Sequence, residues 1–344
     1  MSRKNDDRHT IWENMVAAFY ILLPLLCAAA ILRGCRTWNT PSEGSQQTAS
    51  GQQLMMREQD ESDAPAPEES VGTKAEEKEE EQAGGGSEPA GSAKRAAGEE
   101  KGASSSKKDT EPRRHPYDDD KFAYSEETGH MSYSDENYES LPGIDVSDHQ
   151  GEIDWEEVAG AGYKFVFVRV GFRGYGDEGT LNEDTMAVQY MKEAKKAGLQ
   201  VGAYFFSQAV NEEEAAEEAR FAAEIIRKAG TGLDLPLVYD PELAGGSAGR
   251  ANDLDRDQAS ANALAFKKAA EKELSCKVAL YTNLYWENTY FDVETLNQFE
   301  IWYADYEPTP QTSYQFTWWQ YTENGSVPGI KGKMDLNLWI KRTD

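Results

Sequence analysis

From Leu141 onward, short apolar runs that read as strands alternate with longer stretches of helical periodicity, and this alternation most limits the folds open to the chain. The strand-like runs lie at 144–147, 165–171, 201–207, 236–242 and 278–283. Helical spacing of apolar residues occupies 182–197, 212–229 and 257–274 between them. Repeated strand–helix alternation implies parallel strands joined by right-handed crossovers. A segment of about 200 residues is near the lower limit for closing such a sheet, so an irregular (β/α) TIM-like barrel is expected. Three more strand-like runs, 300–305, 317–322 and 334–338, are linked by prolines and glycines with no helical pattern. A parallel crossover normally needs a dozen or more residues, usually with a helix. These helix-poor C-terminal strands should therefore close the barrel irregularly, with at least one antiparallel step.

The chain ahead of this segment divides in two. Between Asn14 and Leu32 there is no charged residue, a length close to that needed to cross the roughly 30 Å hydrocarbon core of a bilayer. Residues 1–37 are accordingly expected to form an N-terminal membrane anchor, a single-pass transmembrane helix at the cell membrane with the C-terminal part outside the cell. The alternative is a signal peptide, cleaved to give a secreted protein. Arg3, Lys4 and Arg8 before the run and Arg33 and Arg36 after it leave the orientation open on charge alone. Residues 38–140 are rich in Glu, Gly, Ala, Ser, Gln and Lys, a composition with too little apolar surface to offset ordering entropy, and read as a disordered acidic linker. Residues 141–344 form the folded domain.

Composition excludes several chemistries. Of three cysteines only Cys276 lies in the folded segment, where the single histidine is His149. No disulfide framework, thiolate metal site or multi-histidine zinc site can be built from these, so no metal or organic cofactor is expected. The net charge of −27 argues against nucleic acid as a partner. A monomer is expected.

The residues that point to chemistry are carboxylates at strand ends. In Leu235-Pro236-Leu237-Val238-Tyr239-Asp240-Pro241-Glu242, two acids end an apolar run. Side chains at i and i+2 share a face of a strand, roughly 6.5 to 7 Å apart along it, so Asp240 and Glu242 should enter one cavity. The plainer reading is a capped strand end whose acids face water. In barrels of parallel strands, chemistry sits at the C-terminal strand ends, and Asp145 on the first strand and Asp335 on the last can meet there. Several carboxylates in one apolar mouth cannot all ionise without cost, which suits a general acid. For Asp145 and Asp335, hydrogen bonding in a turn is the competing role. Tyr204 and Tyr281, near strand ends, and Trp302 are candidate substrate-contacting aromatics, although aromatics on alternating strands more often belong to the core.

These residues resemble those of the glycoside hydrolase family 25 muramidases. The carriers are Gly143-Ile144-Asp145-Val146-Ser147-Asp148-His149-Gln150-Gly151 with Ile153-Asp154-Trp155; Arg169-Val170-Gly171-Phe172-Arg173-Gly174-Tyr175-Gly176; Gly202-Ala203-Tyr204-Phe205-Phe206-Ser207-Gln208-Ala209; the Asp240-Pro241-Glu242 group; Ile301-Trp302-Tyr303-Ala304; and Trp319-Gln320-Tyr321 followed by Met334-Asp335-Leu336-Asn337. The resemblance implies cleavage of the β-1,4 bond between N-acetylmuramic acid and N-acetylglucosamine in peptidoglycan glycan strands. It implies Glu242 as general acid/base, Asp240 as stabiliser of the cationic intermediate, Asp145 and Asp335 as supporting acids, and Tyr204 as a substrate contact. Proline between the two central acids departs from ordinary strand chemistry, since it lacks the ladder N–H, and predicts that the strand ends there. Two alternatives share the fold: a wall-binding module that does not cut glycan, and a hydrolase of chitin-like glycan.

Overall fold

A computed structural model of the chain describes residues 111–244, 246 and 249–343. The run expected to cross a membrane and most of the expected linker lie outside these. Among the described residues no helix is long and apolar enough to cross a membrane.

The described chain opens with a hairpin, β1 (Phe122–Ser125) and β2 (His130–Tyr133), then enters β3 (Tyr138–Val146), α1 (Trp155–Gly160), β4 (Phe165–Arg173) and the short β5 (Leu181–Glu183). It continues through α2 (Ala187–Lys196), β6 (Gln200–Ser207), α3 (Glu212–Ala229), β7 (Leu237–Pro241), α4 (Arg256–Leu274) and β8 (Val278–Asn283). The last part holds α5 (Leu284–Thr289), α6 (Val293–Leu296), β9 (Glu300–Ala304), β10 (Trp318–Gly325) and β11 (Met334–Arg342). β5 hangs on the edge of β4, and the other eight strands of the main sheet close on themselves through the β3–β4 pairing. Neighbours from β3 round to β10 are parallel. β11 is antiparallel to both β10 and β3, so the irregular closure expected from the helix-poor end is found.

Strand alternation sorts the side chains into two layers. Phe165, Phe167, Val238, Trp302 and Trp318 fill the barrel interior. Their sequence neighbours Val166, Val168, Tyr239, Ile301 and Trp319 face outward into the layer beneath the helices. Interior aromatics of this size need room from neighbouring strands, and two glycines provide it: a Cβ on Gly143 would lie 2.3 Å from the Phe165 ring, and one on Gly202 2.4 Å from that of Phe167. The helices that cover the barrel are built for close approach. α3 starts where the Asn211 side chain accepts from Glu214 N, carries Glu212, Glu213 and Glu214 in its first turn, and stops at Gly230 in the left-handed conformation. Its buried face is mostly alanine and meets the alanine-rich face of α4, so the two backbones lie close.

Two boundaries differ from the sequence reading. The helix expected from residue 182 begins at Ala187, because Asp184 intervenes: its Oδ1 accepts from Met186 N in a turn just ahead of the helix, while its Oδ2 takes the Arg169 side chain. The folded unit also begins well before residue 141. Residues 111–117 run along the barrel wall, where Arg113 N donates to Asn297 Oδ1, Gln315 N donates to Arg113 O and Tyr117 OH donates to Phe316 O. The hairpin then packs Met131 and Tyr133 into the outer core. The linker reading failed over 111–140 because an average over a polar tract hides its few aromatic side chains. Tyr117, Phe122, Tyr133 and Tyr138 meet in one cluster, with ring centroids about 5 Å apart.

Candidate active site

Inward-facing positions near one end of the barrel are polar. For the parallel strands this is the C-terminal end; β11 runs the opposite way and delivers its first residues there. On β3, Ile144 and Val146 face outward, so Asp145 between them faces in, 3% exposed. Its Cα partner on β11 is Asp335, and directly opposed residues share a face. On β7, Val238 faces the interior and Tyr239 the helices, which turns Asp240 inward at 2% exposure. The strand ends at Pro241, as the missing N–H predicts, and Glu242 follows half-buried beyond it. Asp145, Asp240 and Asp335 thus point into the same end of the barrel, with Glu242 just past its edge.

The main chain at Glu242 is held although the ladder has ended. Gln208, after β6 and fully buried, donates from Nε2 to Glu242 O at 2.6 Å and to Ser207 O at 3.0 Å. Behind Gln208 lies a buried ionic group: Arg173 Nε donates to Glu218 Oε1 at 2.8 Å, and the Ser207 hydroxyl donates to Glu218 Oε2 at 2.7 Å. Burial pushes the Glu218 carboxyl up to about 7, against the pull of Ser207 and Arg173 toward ionisation. Farther along, Asn252 accepts from Ala244 N and donates to Ala244 O, fixing the loop after Glu242. The other buried cation of the mouth is Arg169, which continues the inward face of Phe165 and Phe167 and binds Asp184 at 2.9 Å and Asp148 at 2.8 Å.

Asp145 sits in a network that sequence reasoning did not assign. Gln320 Nε2 and Asn337 Nδ2 both donate to its Oδ2, at 2.9 and 2.8 Å. Gln320 Oε1 accepts from Tyr281 OH and Tyr306 OH, and Asn337 Oδ1 accepts from Trp302 Nε1. The signal was present in the sequence: Asn337 is two residues from Asp335 and Gln320 two from Trp318, positions that share the inward face.

The aromatics expected to meet sugar lie deeper than that role requires. Trp302 is 1% exposed, with its face stacked on Phe167 at 4.6 Å and Tyr281 against it edge-on at 4.8 Å. It is a core residue whose N–H serves Asn337, and the reading of it as a sugar platform is corrected. Tyr204 and Tyr281 are also buried, below the rim. The exposed aromatics near this end are Tyr285, just after β8, and Tyr306, just after β9. Cys276 lies at the opposite end, beside a cleft of about 410 Å³ that holds none of the four acids.

Residues 144–330 match the model of the glycosyl hydrolases family 25. The autolytic lysozyme of Clostridium acetobutylicum is 29% identical over 199 residues, covering 57% of this chain and 55% of that protein. Lysozyme M1 of Streptomyces globisporus is 27% identical over 203 residues, covering 57% and 67%. Among solved structures, the modular autolysin LytC of Streptococcus pneumoniae shares the fold, with a TM-score of 0.54 at 24% identity over 63% of this chain and 52% of that one. The chain therefore spans about half the length of the first of these relatives. With more than half of its residues inside the family match, the chain belongs to the glycosyl hydrolases family 25.

Proposed function

We propose that this protein is a muramidase that cleaves the β-1,4 bond between N-acetylmuramic acid and N-acetylglucosamine in peptidoglycan. The observation that carries the reading is the convergence of inward-facing Asp145, Asp240 and Asp335 on one barrel end, beside Glu242, in a chain of this family. Glycosidic cleavage needs a proton for the leaving oxygen and negative charge close to the sugar carbon as it becomes cationic. Glu242, beyond the strand end and half-buried, reaches the open part of the mouth and gives the proton, then takes one from water. Asp240, buried beneath it, steadies the cation, directly or by orienting the substrate's acetamido group. Asp145 and Asp335 extend the negative field from the opposite wall. Exposed Tyr285 and Tyr306 give the glycan flat faces at the rim.

The test is Glu242→Gln, assayed by release of reducing sugar from purified peptidoglycan. Activity should vanish while the circular dichroism spectrum and melting temperature are kept; retained activity in a folded variant removes Glu242 from this role. Residues 14–32 anchor the protein in the cell membrane with the barrel outside, a reading supported by the uncharged run. Secreted material whose first residue is Ile31 or later would refute the anchor.

A further inference from the structure

A carboxylate taken out of water has to be met by donors. The donors at Asp145 include two primary amides, and an amide can turn either its nitrogen or its oxygen toward a neighbour. The direction of each amide therefore biases Asp145 toward the anion, when the nitrogen faces it, or toward the neutral acid, when the oxygen does. The direction of the Asn337 amide is set from behind. The Trp302 indole N–H can only donate, and it donates to Asn337 Oδ1 at 2.8 Å, which leaves the Asn337 nitrogen for Asp145. The hydroxyls of Tyr281 and Tyr306 donate to Gln320 Oε1 at 2.9 and 3.0 Å, and the Gln320 nitrogen donates to the same carboxylate oxygen; phenols accept as well as donate, so here the carboxylate itself selects the amide's direction. Gln320 and Asn337 are Cα partners on β10 and β11 and are both buried, so neither amide turns without breaking bonds at both of its ends.

We propose that Gln320 and Asn337 are positioning residues that hold Asp145 ionised, so that the transferable proton of the mouth stays with Glu242 and is not shared with Asp145. Two donors on one carboxylate oxygen favour the anion over the neutral acid; the consequence for Glu242 rests on the muramidase reading. Titratable groups facing inward around Asp145 are Asp335 on β11, Arg169 on β4, Tyr204 on β6, Asp240 on β7 and Tyr281 on β8, with Tyr306 after β9. Tyr306 is 38% exposed, so its hydroxyl links the rim to the clamp.

The experiment is a carboxyl-carbon NMR titration of the full chain labelled at aspartate, with Asp145→Asn identifying the resonance. It is run on the parent protein, Asn337→Leu and Gln320→Leu. Loss of a donor should raise the midpoint of Asp145 by about one pH unit or more, a tenfold change in its protonation. If a leucine variant fails to fold, Trp302→Phe removes the N–H behind Asn337 and should move the midpoint the same way. A midpoint that stays put in folded variants overturns the clamp. In parallel, kcat on peptidoglycan fragments should fall about tenfold in Asn337→Leu with KM changed less than about threefold, and the acidic limb of kcat/KM should move toward neutral pH. A limb that does not move also counts against the clamp. If the parent protein cleaves no peptidoglycan, the muramidase reading falls while the titration still decides the charge of Asp145.

Discussion

Replacing Glu287 by Gln should make the protein more stable, and increasingly so as pH rises. Glu287 lies on α5, 2% exposed, and its described polar contact is a 2.6 Å bond accepted by Oε2 from the Thr312 hydroxyl. Its Oε1 is buried with no hydrogen-bond partner among the described residues. Burial pushes this carboxyl from 4.5 up to about 8; the Thr312 bond opposes the rise and the nearby Asp305 adds to it. Among the described residues no cation offsets the desolvation, in contrast to Glu218 with its Arg173. The folded chain therefore keeps a proton that the unfolded chain releases above 4.5. Stability from this group is fully present below 4.5, declines as pH rises, and levels off above 8. The two values are 8 − 4.5 = 3.5 apart, worth roughly 4–5 kcal/mol in full, of which about 3 kcal/mol is lost between pH 5 and pH 8. Glutamine has nearly the same shape and does not ionise. In urea denaturation at pH 5 and pH 8, the unfolding free energy of Glu287→Gln relative to the parent should rise by about 3 kcal/mol across that interval. A difference that stays constant with pH would show that Glu287 is ionised in the fold, and the argument from its burial would fail.

Other substitutions probe separate parts of the structure. Arg173→Met leaves buried Glu218 without its cation and should cost about 3–5 kcal/mol at pH 8 and less at pH 5, where Glu218 is already protonated; equal costs in denaturation at both pH values would count against it. Gly202→Ala drives a methyl group into the Phe167 ring and should cost about 1–3 kcal/mol, read as a lower melting temperature; an unchanged value would mean the interior is looser than described. Compared with a chain starting at Glu111, one starting at Leu141 loses Tyr117, Met131 and Tyr133 from the outer core. At about 1.5–3 kcal/mol for each, its melting temperature should drop by about 10 °C or more. Equal melting temperatures would mean that residues 111–140 are no part of the stable unit.

The barrel was legible in the sequence because its parallel strands are buried on both faces and read as apolar runs, which helical periodicity separates cleanly. β8 and α3 have the bounds that pattern predicts. What could not be read was of two kinds. Residues 111–140 contribute a few aromatics whose partners lie on β10 and in the loop before it, a separation near 200 residues that no local pattern reports. In the mouth, Asp240 and Asp145 stood out because acids are rare in apolar strands. Gln320 and Asn337 lie in motifs that carry the family resemblance but, being neutral, were given no role, although the alternation that turned the acids inward turns them inward too. Trp302 was misplaced for a related reason: an indole on an alternating strand is a sugar platform or core filling according to which layer it occupies, and that depends on register across β8, β9 and β10.

The departure from regular topology is also what assembles the mouth. In an all-parallel barrel every strand would bring its C-terminal residues to this rim, and the final strand would place Lys341 and Arg342 beside Val146. Because β11 runs antiparallel to β3, the register pairs Asp335 with Asp145 and sends Arg342 to Tyr138 at the other end. The same reversal sets Asn337 two residues below Asp335 on the inward face, where its amide reaches Asp145. β10 still runs parallel to β9 and presents Gln320 at the matching height, opposite Asn337. A helix-free link between the last two strands therefore has a chemical consequence: it replaces cations at the rim by a carboxylate and an amide. In the proposed reaction a negative mouth steadies a cationic sugar, and one of its four acids, Asp335, is there because of the direction of that one strand.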